Sequence, residues 1–136
     1  MDTADDLRDS LVQVSFTVIG VLTRVAAEHD LSLTQLRVLG ILRDRETTMA
    51  ELATYLGLER STVSGLIDRA VQRGLVRKTS HPEDGRSVRV NLTAEAHRLA
   101  AGVIAEIGAL TAPLTARLNS SEQKRLTALL AKVLDR

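Results

Sequence analysis

Apolar residues recur every three or four positions through most of the chain, which is the spacing of helices with one buried face. From Thr3 to about His29 this pattern predicts one long amphipathic helix. The stripe is narrow and nearly heptad-like, so we expect the helix to pack on another helix, and an ordinary core helix is compatible with the same pattern. Its members are Leu7, Leu11, Val14, Val18, Val21 or Leu22, and Val25.

Polar residues mark the beginnings of two shorter helices. Ser32 and Gln35 form a Ser-x-x-Gln capping box, and Thr48 and Glu51 form a second box, because such pairs satisfy the free N–H groups of a first helical turn. Gly57 is suited to end the second of these helices. A further helix from about Arg60 to Gly74 has its apolar positions at Val63, Leu66, Ile67 and Ala70.

A short helix, a turn containing glycine and a second helix are the parts of a helix-turn-helix motif. Leu52, Ala53 and Leu56 can share a small core with Val63, Leu66 and Ile67. This core would hold the second helix, here called the recognition helix, so that its polar face projects into a major groove about 12 Å wide. The residues predicted to contact DNA there are Arg60, Ser61, Thr62, Ser64, Gly65 and Arg69.

Two short strands are predicted after Gly74, from Leu75 to Thr79 and from Ser87 to Leu92. We interpret this hairpin as a basic wing in which Arg86 and Arg89 contact DNA. Asp84 would orient the guanidinium of Arg86 in a minor groove, the alternative being an ordinary surface ion pair. The residues predicted to contact the phosphate backbone are Thr48, Arg73, Arg77 and Lys78.

Two more helices are predicted after the hairpin. Thr93 caps a long helix whose apolar stripe runs to Leu118, and Pro113 is expected to bend or divide it. A third Ser-x-x-Gln box, Ser120 to Gln123, introduces the last helix. Its apolar face needs a partner, so we expect a twofold dimer in which it packs with the first helix and the long helix. That face comprises Leu126, Leu129, Leu130, Val133 and Leu134.

Positive charge is concentrated on the recognition helix and the hairpin. Residues 58–90 contain seven arginines and lysines against four acidic residues, a balance of +3, whereas the whole chain carries +1. A basic module of this kind suits a phosphate backbone as its partner. One Tyr, one Phe and no Trp leave few platforms for stacking on single-stranded bases, so duplex DNA is the better fit.

Residues 49–93, MAELATYLGLERSTVSGLIDRAVQRGLVRKTSHPEDGRSVRVNLT, resemble the MarR family of bacterial winged helix-turn-helix regulators. Asp84-Gly85-Arg86 matches the D-x-R signature of the family's wing. The resemblance implies a mainly α (α+β) fold whose first and last two helices form a dimer interface. We therefore expect a dimerisation helix in residues 1–31, a DNA-binding lobe in residues 32–92 and dimerisation helices in residues 93–136.

Many members of this family bind phenolic or other anionic aromatic compounds between the dimerisation helices and the DNA-binding lobe. By this resemblance, the candidate effector residues are Phe16, Arg24, His29 and Arg37. The chain has no Cys, which excludes disulfides, thiolate metal sites and the cysteine-based peroxide sensing of one branch of the family. It also has no Trp, so it resembles the urate-responsive branch less.

Other classes of function find little support in the sequence. His29, His81 and His97 are too scattered for a metal site, and the chain has no nucleophile elbow, Walker loop or G-x-G-x-x-G motif. We therefore expect no metal, no cofactor and no enzymatic activity. The acidic N-terminus and the lack of an uninterrupted apolar run near 20 residues predict a cytoplasmic protein without a membrane partner.

The sequence thus predicts a homodimeric transcriptional regulator, in this family usually a repressor, that binds a palindromic operator and is released by a small anionic or phenolic effector. Half-sites should be centred about one helical turn apart. Two alternatives stay open: a ligand-insensitive or architectural DNA-binding protein, and a winged helix used for protein interaction.

Overall fold

In the computed structural model, helices surround a small antiparallel sheet. The structure describes residues 2–81 and 84–135, and the side chains of these except 81 and 84–86. A mainly helical fold with a winged helix-turn-helix is confirmed. In chain order the described elements are α1 (Thr3–Glu28), α2 (Leu33–Leu42), β1 (Thr47–Thr48), α3 (Met49–Leu56), α4 (Arg60–Gln72), β2 (Val76–His81), β3 (Asp84–Leu92), α5 (Ala94–Thr115) and α6 (Ser120–Val133).

The sheet has the order β1-β3-β2, with β3 in the centre and both neighbours antiparallel to it. The pattern analysis missed β1, which is two residues long and pairs Thr47 with Val90 and Thr48 with Arg89. The hairpin strands also extend closer to their connection than expected. Leu75 lies outside β2, where its carbonyl accepts a hydrogen bond from the N–H of Thr93 at 3.1 Å.

One apolar cluster holds the helix-turn-helix together. The predicted packing of α3 on α4 is confirmed: Leu52, Val63 and Ile67 are completely buried, and Ala53, Leu56 and Leu66 are nearly so. The cluster continues into the sheet through Val90 and reaches α1 at Val25. Because α4 is packed along its whole apolar side, its polar side has a fixed orientation.

Local hydrogen bonds fix the helix ends. The capping boxes of Ser32 with Gln35 and Thr48 with Glu51 are confirmed, and so is the cap that Thr93 provides for α5. Gly57 ends α3 in the left-handed region at φ 66°, which glycine adopts without strain. These caps stabilise each helix end by about 1 kcal/mol.

The predicted box of Ser120 with Gln123 is wrong. Asn119 is the N-cap of α6 and forms the box with Glu122, because its extended backbone lets the side chain reach the N–H of the third helical residue. Ser120 is therefore the first residue of the helix. The amide of Gln123 donates instead to the carbonyls of Thr115 and Leu118, tying the start of α6 to the end of α5.

Pro113 neither divides α5 nor starts a new helix. It lies in the last turn of α5, which ends two residues later at Thr115, so the predicted extension of the stripe to Leu118 is wrong. Proline lacks the N–H that would bond the carbonyl of Ala109, and its ring crowds that carbonyl, so its cost falls on the turn before it. The chain then turns within residues 116–119 and returns as α6.

The N-terminal part of α1 and the whole of α6 expose their apolar faces. In the described part of a single protomer α6 has no buried residue, and Leu7, Phe16 and Val133 expose about two thirds or more of their surface. By length and hydropathy alone, α1 and α5 would also be long enough to cross a membrane, with 11% of each apolar window buried. Such helices are weak evidence for a membrane span, since mostly buried core helices of soluble proteins and N-terminal signal sequences meet the same criteria.

Candidate nucleic-acid interface

The outer face of α4 is polar, as the periodicity predicts. Val63, Leu66, Ile67 and Ala70 face the core, which follows from their spacing of three and four residues. On the opposite side Gly65 is half-buried, and the remaining predicted contact residues are exposed. These are Arg60, Ser61, Thr62, Ser64 and Arg69.

Part of this face borders an open groove of about 540 Å³ between the start of α3, the start of α4 and β3. The groove brings together four of the predicted contact residues, Thr48, Arg60, Ser61 and Ser64. Sequence reasoning missed the other residues of its lining. No sequence signal marks them, because only the pairing of β1 with β3 places Ser87 and Val88 beside Met49 and Ala50.

Gly65 has almost no neighbouring atoms on the side where a side chain would project. A Cβ atom added there would meet only Arg69 Nη1, at an ordinary contact distance of 3.6 Å. Packing within the chain therefore does not require glycine at this position. The missing side chain instead leaves the backbone of α4 accessible from outside.

The four predicted phosphate contacts have different surroundings. Thr48 caps α3 through its side-chain oxygen, and Arg77 is exposed on β2. Lys78 forms an ion pair with Asp68 of α4, which links β2 to the recognition helix. Arg73 points away from the groove side and donates to the carbonyls of Asp30 at 2.6 Å and His29 at 3.3 Å.

In the wing, β2 and β3 pair from Val76 opposite Leu92 to His81 opposite Asp84, with an irregularity between Ser80 and His81. The side chains of the predicted residues Asp84 and Arg86 lie outside the described part of the structure. Arg89 lies in the middle of β3 opposite Thr48 and Thr79, and its side chain is half-buried. The structure therefore places Arg89 in the sheet between β1 and β2.

A second concavity of about 520 Å³ lies between α1, α2 and α5. We call it the interhelical cleft. Its walls are mostly apolar, and it is bordered by Arg37 of α2 and by Arg43, the C-cap residue of α2. The lining residues are Leu22, Leu33, Leu36, Arg37, Leu39, Gly40, Arg43, Ala100, Val103, Ile104 and Ile107.

Only one of the four candidate effector residues, Arg37, borders this cleft. Phe16 is 71% exposed on α1, and Arg24 pairs with Glu28 at 3.5 Å. His29 Nε2 lies 3.0 Å from Glu106 Oε1, so it links the end of α1 to α5. The apolar lining was missed because its leucines and valines have the same spacing as ordinary core residues.

The second arginine of the cleft, Arg43, is paired within its own helix end. Its guanidinium donates to both carboxylate oxygens of Asp44, at 3.2 and 3.1 Å. These hydrogen bonds hold the pKa of Asp44 below its ordinary value.

Elsewhere in the described chain, no three His, Asp or Glu side chains gather into a cluster that could hold a metal ion.

Comparisons with known proteins agree with this architecture. A model of the MarR family matches residues 29–87, from the end of α1 into the hairpin. The chain is 34% identical to the uncharacterized HTH-type transcriptional regulator YfiV of Bacillus subtilis (strain 168), over 71% of this chain and 60% of that protein. It therefore spans about three fifths of this relative's length.

Two solved structures of MarR from E. coli have the same fold over almost the whole chain. The wild-type apo form is 28% identical with a TM-score of 0.78, covering 94% of this chain and 96% of that one. The C80S mutant complexed with operator DNA is 26% identical with a TM-score of 0.76, covering 98% and 99%. The matched family model, the fold, the helix order and the wing together support a MarR-family winged helix-turn-helix regulator.

Proposed function

We propose that this protein is a homodimeric, cytoplasmic repressor that binds a palindromic operator in double-stranded DNA and is released by a small anionic aromatic effector. The observation that carries the proposal is the groove beside α4. It gathers hydroxyl groups and a guanidinium on one rigid, solvent-facing surface next to the wing. The similar MarR C80S mutant from E. coli, at 26% identity, was solved in complex with operator DNA, which supports duplex DNA as the partner.

On DNA, α4 would lie in a major groove. Arg60, Ser61 and Ser64 are near its N-terminal end, which is the part of a recognition helix that approaches base edges. Hydroxyl groups donate to or accept from either bases or phosphates, and an arginine can donate two hydrogen bonds to guanine. Thr62, Gly65 and Arg69 extend the contact surface along the helix.

The wing and the first helix of the motif would bind the sugar-phosphate backbone and the flanking minor groove. Arg86, oriented by Asp84, is proposed for the minor groove, and Arg77 and Thr48 for phosphates. Lys78 is proposed for a phosphate as well, although it would have to share its charge with Asp68. Arg73 is better explained as a link between α4 and the end of α1.

The second copy would cover the apolar surfaces of α1, α5 and α6. Residues 1–31 and 93–136 are proposed as dimerisation segments, and residues 32–92 as the DNA-binding lobe. Leu7, Leu126, Leu130 and Val133 are each more than one third exposed in the single protomer. Burying such surfaces contributes roughly 25 cal/mol per Å², which favours association of two copies.

An effector is proposed to bind in the interhelical cleft. Its volume of about 520 Å³ falls within the range of small-molecule sites, and its apolar walls suit an aromatic ring. Arg37 and Arg43 supply positive charge for a carboxylate or phenolate at the rim. A compound bound there would contact α1, α2 and α5 at once and can therefore shift the DNA-binding lobe relative to the dimerisation helices.

Selection from fragmented genomic DNA, followed by titration of the selected duplex at several salt concentrations, tests DNA binding. We expect a palindromic consensus and an affinity that falls steeply as salt rises, because phosphate contacts release counterions. Absence of binding to any duplex at low salt would refute the function. Binding insensitive to salt would instead indicate a protein-interaction module.

The variant Arg86→Ala separates the wing from the dimer. It should weaken operator binding by about 1–3 kcal/mol without changing the dimer or its thermal stability. Arg98→Ala is a matched control, because it removes the same charge from the exposed surface of α5. Equal losses in the two variants would show that general charge, and not the wing, determines the affinity.

A further inference from the structure

The C-terminal end of α3 has an unusual set of hydrogen bonds. The last four carbonyls of a helix lack partners within the helix and need other donors. At α3 the backbone N–H groups of Gly57 and Leu58 bond the carbonyls of Ala53 and Thr54. The two remaining carbonyls, of Tyr55 and Leu56, are bonded by a side chain from another helix.

That side chain is Arg37 of α2. Its Nη2 donates to the carbonyl of Tyr55 at 2.7 Å, and its Nη1 donates to the carbonyl of Leu56 at 3.4 Å. A positive charge at this position is also favourable to the negative end of the helix dipole. Arg37 thus completes the C-cap of the first helix of the helix-turn-helix.

The same guanidinium borders the interhelical cleft. Its two contacts lie 18 and 19 residues away along the chain, so they join α2, which forms one wall of the cleft, to the DNA-binding motif. Arg37 is therefore placed to interact with an anion in the cleft and with α3. Arg43 borders the cleft too, but its guanidinium donates to the carboxylate of Asp44.

We propose that Arg37 transmits the occupancy of the cleft to the recognition helix. An anionic effector draws the guanidinium toward its carboxylate, so the carbonyls of Tyr55 and Leu56 lose their charged donor. This inference rests on the proposed function, because it specifies how the effector acts. It also predicts that negative charge, and not only ring shape, decides which compounds release the protein from DNA.

The consequence for DNA binding follows from the chain order. Tyr55 and Leu56 are followed directly by Gly57 and the turn that leads into α4, where Arg60 and Ser61 line the groove. When α3 loses its C-cap, this turn is less restrained and the start of α4 is positioned less well. Arg37 acts in this way as a positioning residue, since it lies outside the DNA-facing groove.

The intact chain tests the inference, with Arg37→Gln as the test variant and Arg98→Gln as the control, because Arg98 is an exposed arginine of α5. Operator affinity is measured alone, with salicylate and with the neutral isostere salicylamide. Amide hydrogen exchange of Gly57 and Leu58 is followed in parallel, because it reports the C-cap without requiring DNA. Thermal unfolding confirms that each variant is folded, and Arg37→Lys provides a second variant that keeps the charge.

For the wild type, salicylate should weaken operator binding and accelerate exchange of the two amides, whereas salicylamide should do neither. Arg37→Gln should bind the operator about tenfold more weakly without any effector, and salicylate should change its affinity no further. Arg37→Lys should keep part of the response. Arg98→Gln, which lies outside the cleft lining, should match the wild type with and without salicylate.

Two failures are distinguishable. If the wild type binds no duplex, the proposed function itself is wrong. If it binds its operator but Arg37→Gln matches it in affinity, amide exchange and response to salicylate, only the role of Arg37 is overturned. A wild-type complex that ignores millimolar salicylate, or one that salicylamide releases equally well, also overturns the role of charge in this coupling.

Discussion

The DNA-binding lobe and the terminal helices have similar apolar periodicity but opposite burial. Leu52, Val63 and Ile67 of the lobe are completely buried within one chain. Leu7 and Leu130, which repeat at the same helical spacing, are 68% and 43% exposed. Periodicity therefore identifies the apolar face of a helix but does not say which molecule covers it.

The DNA-binding lobe and the terminal helices should therefore contribute to the stability of the protein in different ways. The lobe owes its stability to contacts within its own chain, so a substitution there should act at any protein concentration. The terminal helices would owe theirs to the proposed second copy, so their effects should depend on concentration.

Leu130→Asp should abolish the proposed dimer, because it places a charge on the apolar face of α6 that the partner would bury. Light scattering coupled to size exclusion should then show monomers or aggregates. Lys124→Asp changes the charge of the same helix at an exposed polar position and should leave the dimer intact. An unchanged mass for Leu130→Asp would remove α6 from the interface.

Leu52→Ala should destabilise the protein by about 2–5 kcal/mol, because it leaves a cavity in a completely buried part of the lobe. Denaturant unfolding at several protein concentrations measures the loss, which should be similar at each of them. Leu58→Ala provides the control, since this leucine is 38% exposed and should cost less than about 1 kcal/mol. Equal losses would contradict the assigned core.

Gly65→Ala should separate stability from function on the recognition helix. Alanine favours helix by up to about 1 kcal/mol, and the added Cβ fits against Arg69, so thermal stability should rise slightly. Operator affinity should fall, because the methyl group would hold α4 away from the duplex. Gly102→Ala on α5, where a Cβ meets nothing within 4 Å, should give the stability gain alone. Unchanged operator binding by Gly65→Ala would show that close approach is not needed there.

Features set by neighbouring residues were predictable from the sequence. The capping boxes at Ser32 and Thr48, the end of α3 at Gly57 and the core between α3 and α4 all depend on residues a few positions apart. Asn119 escaped prediction because three adjacent polar residues offered competing N-caps. The sequence shows that a helix begins near these polar residues, but it does not show which of them is the N-cap.

Features set by distant residues were not predictable. The strand β1 consists of two threonines whose pairing partners lie about 40 residues further along the chain. Arg73 looked like a phosphate ligand from its charge, and only the fold shows that it contacts the carbonyls at the end of α1. The interhelical cleft likewise combines leucines that are indistinguishable from core residues in the sequence.

The two-residue strand β1 affects how the wing and the recognition helix are positioned relative to each other. Thr48 is at once the last residue of β1, the cap of α3 and the partner of Arg89 in the central strand. Thr48 therefore connects the hairpin rigidly to the helix-turn-helix, without a flexible segment between them. Under the proposed function, the offset between the two grooves touched by one protomer is fixed, and any tolerance for operators of different length must come from the angle between the two subunits.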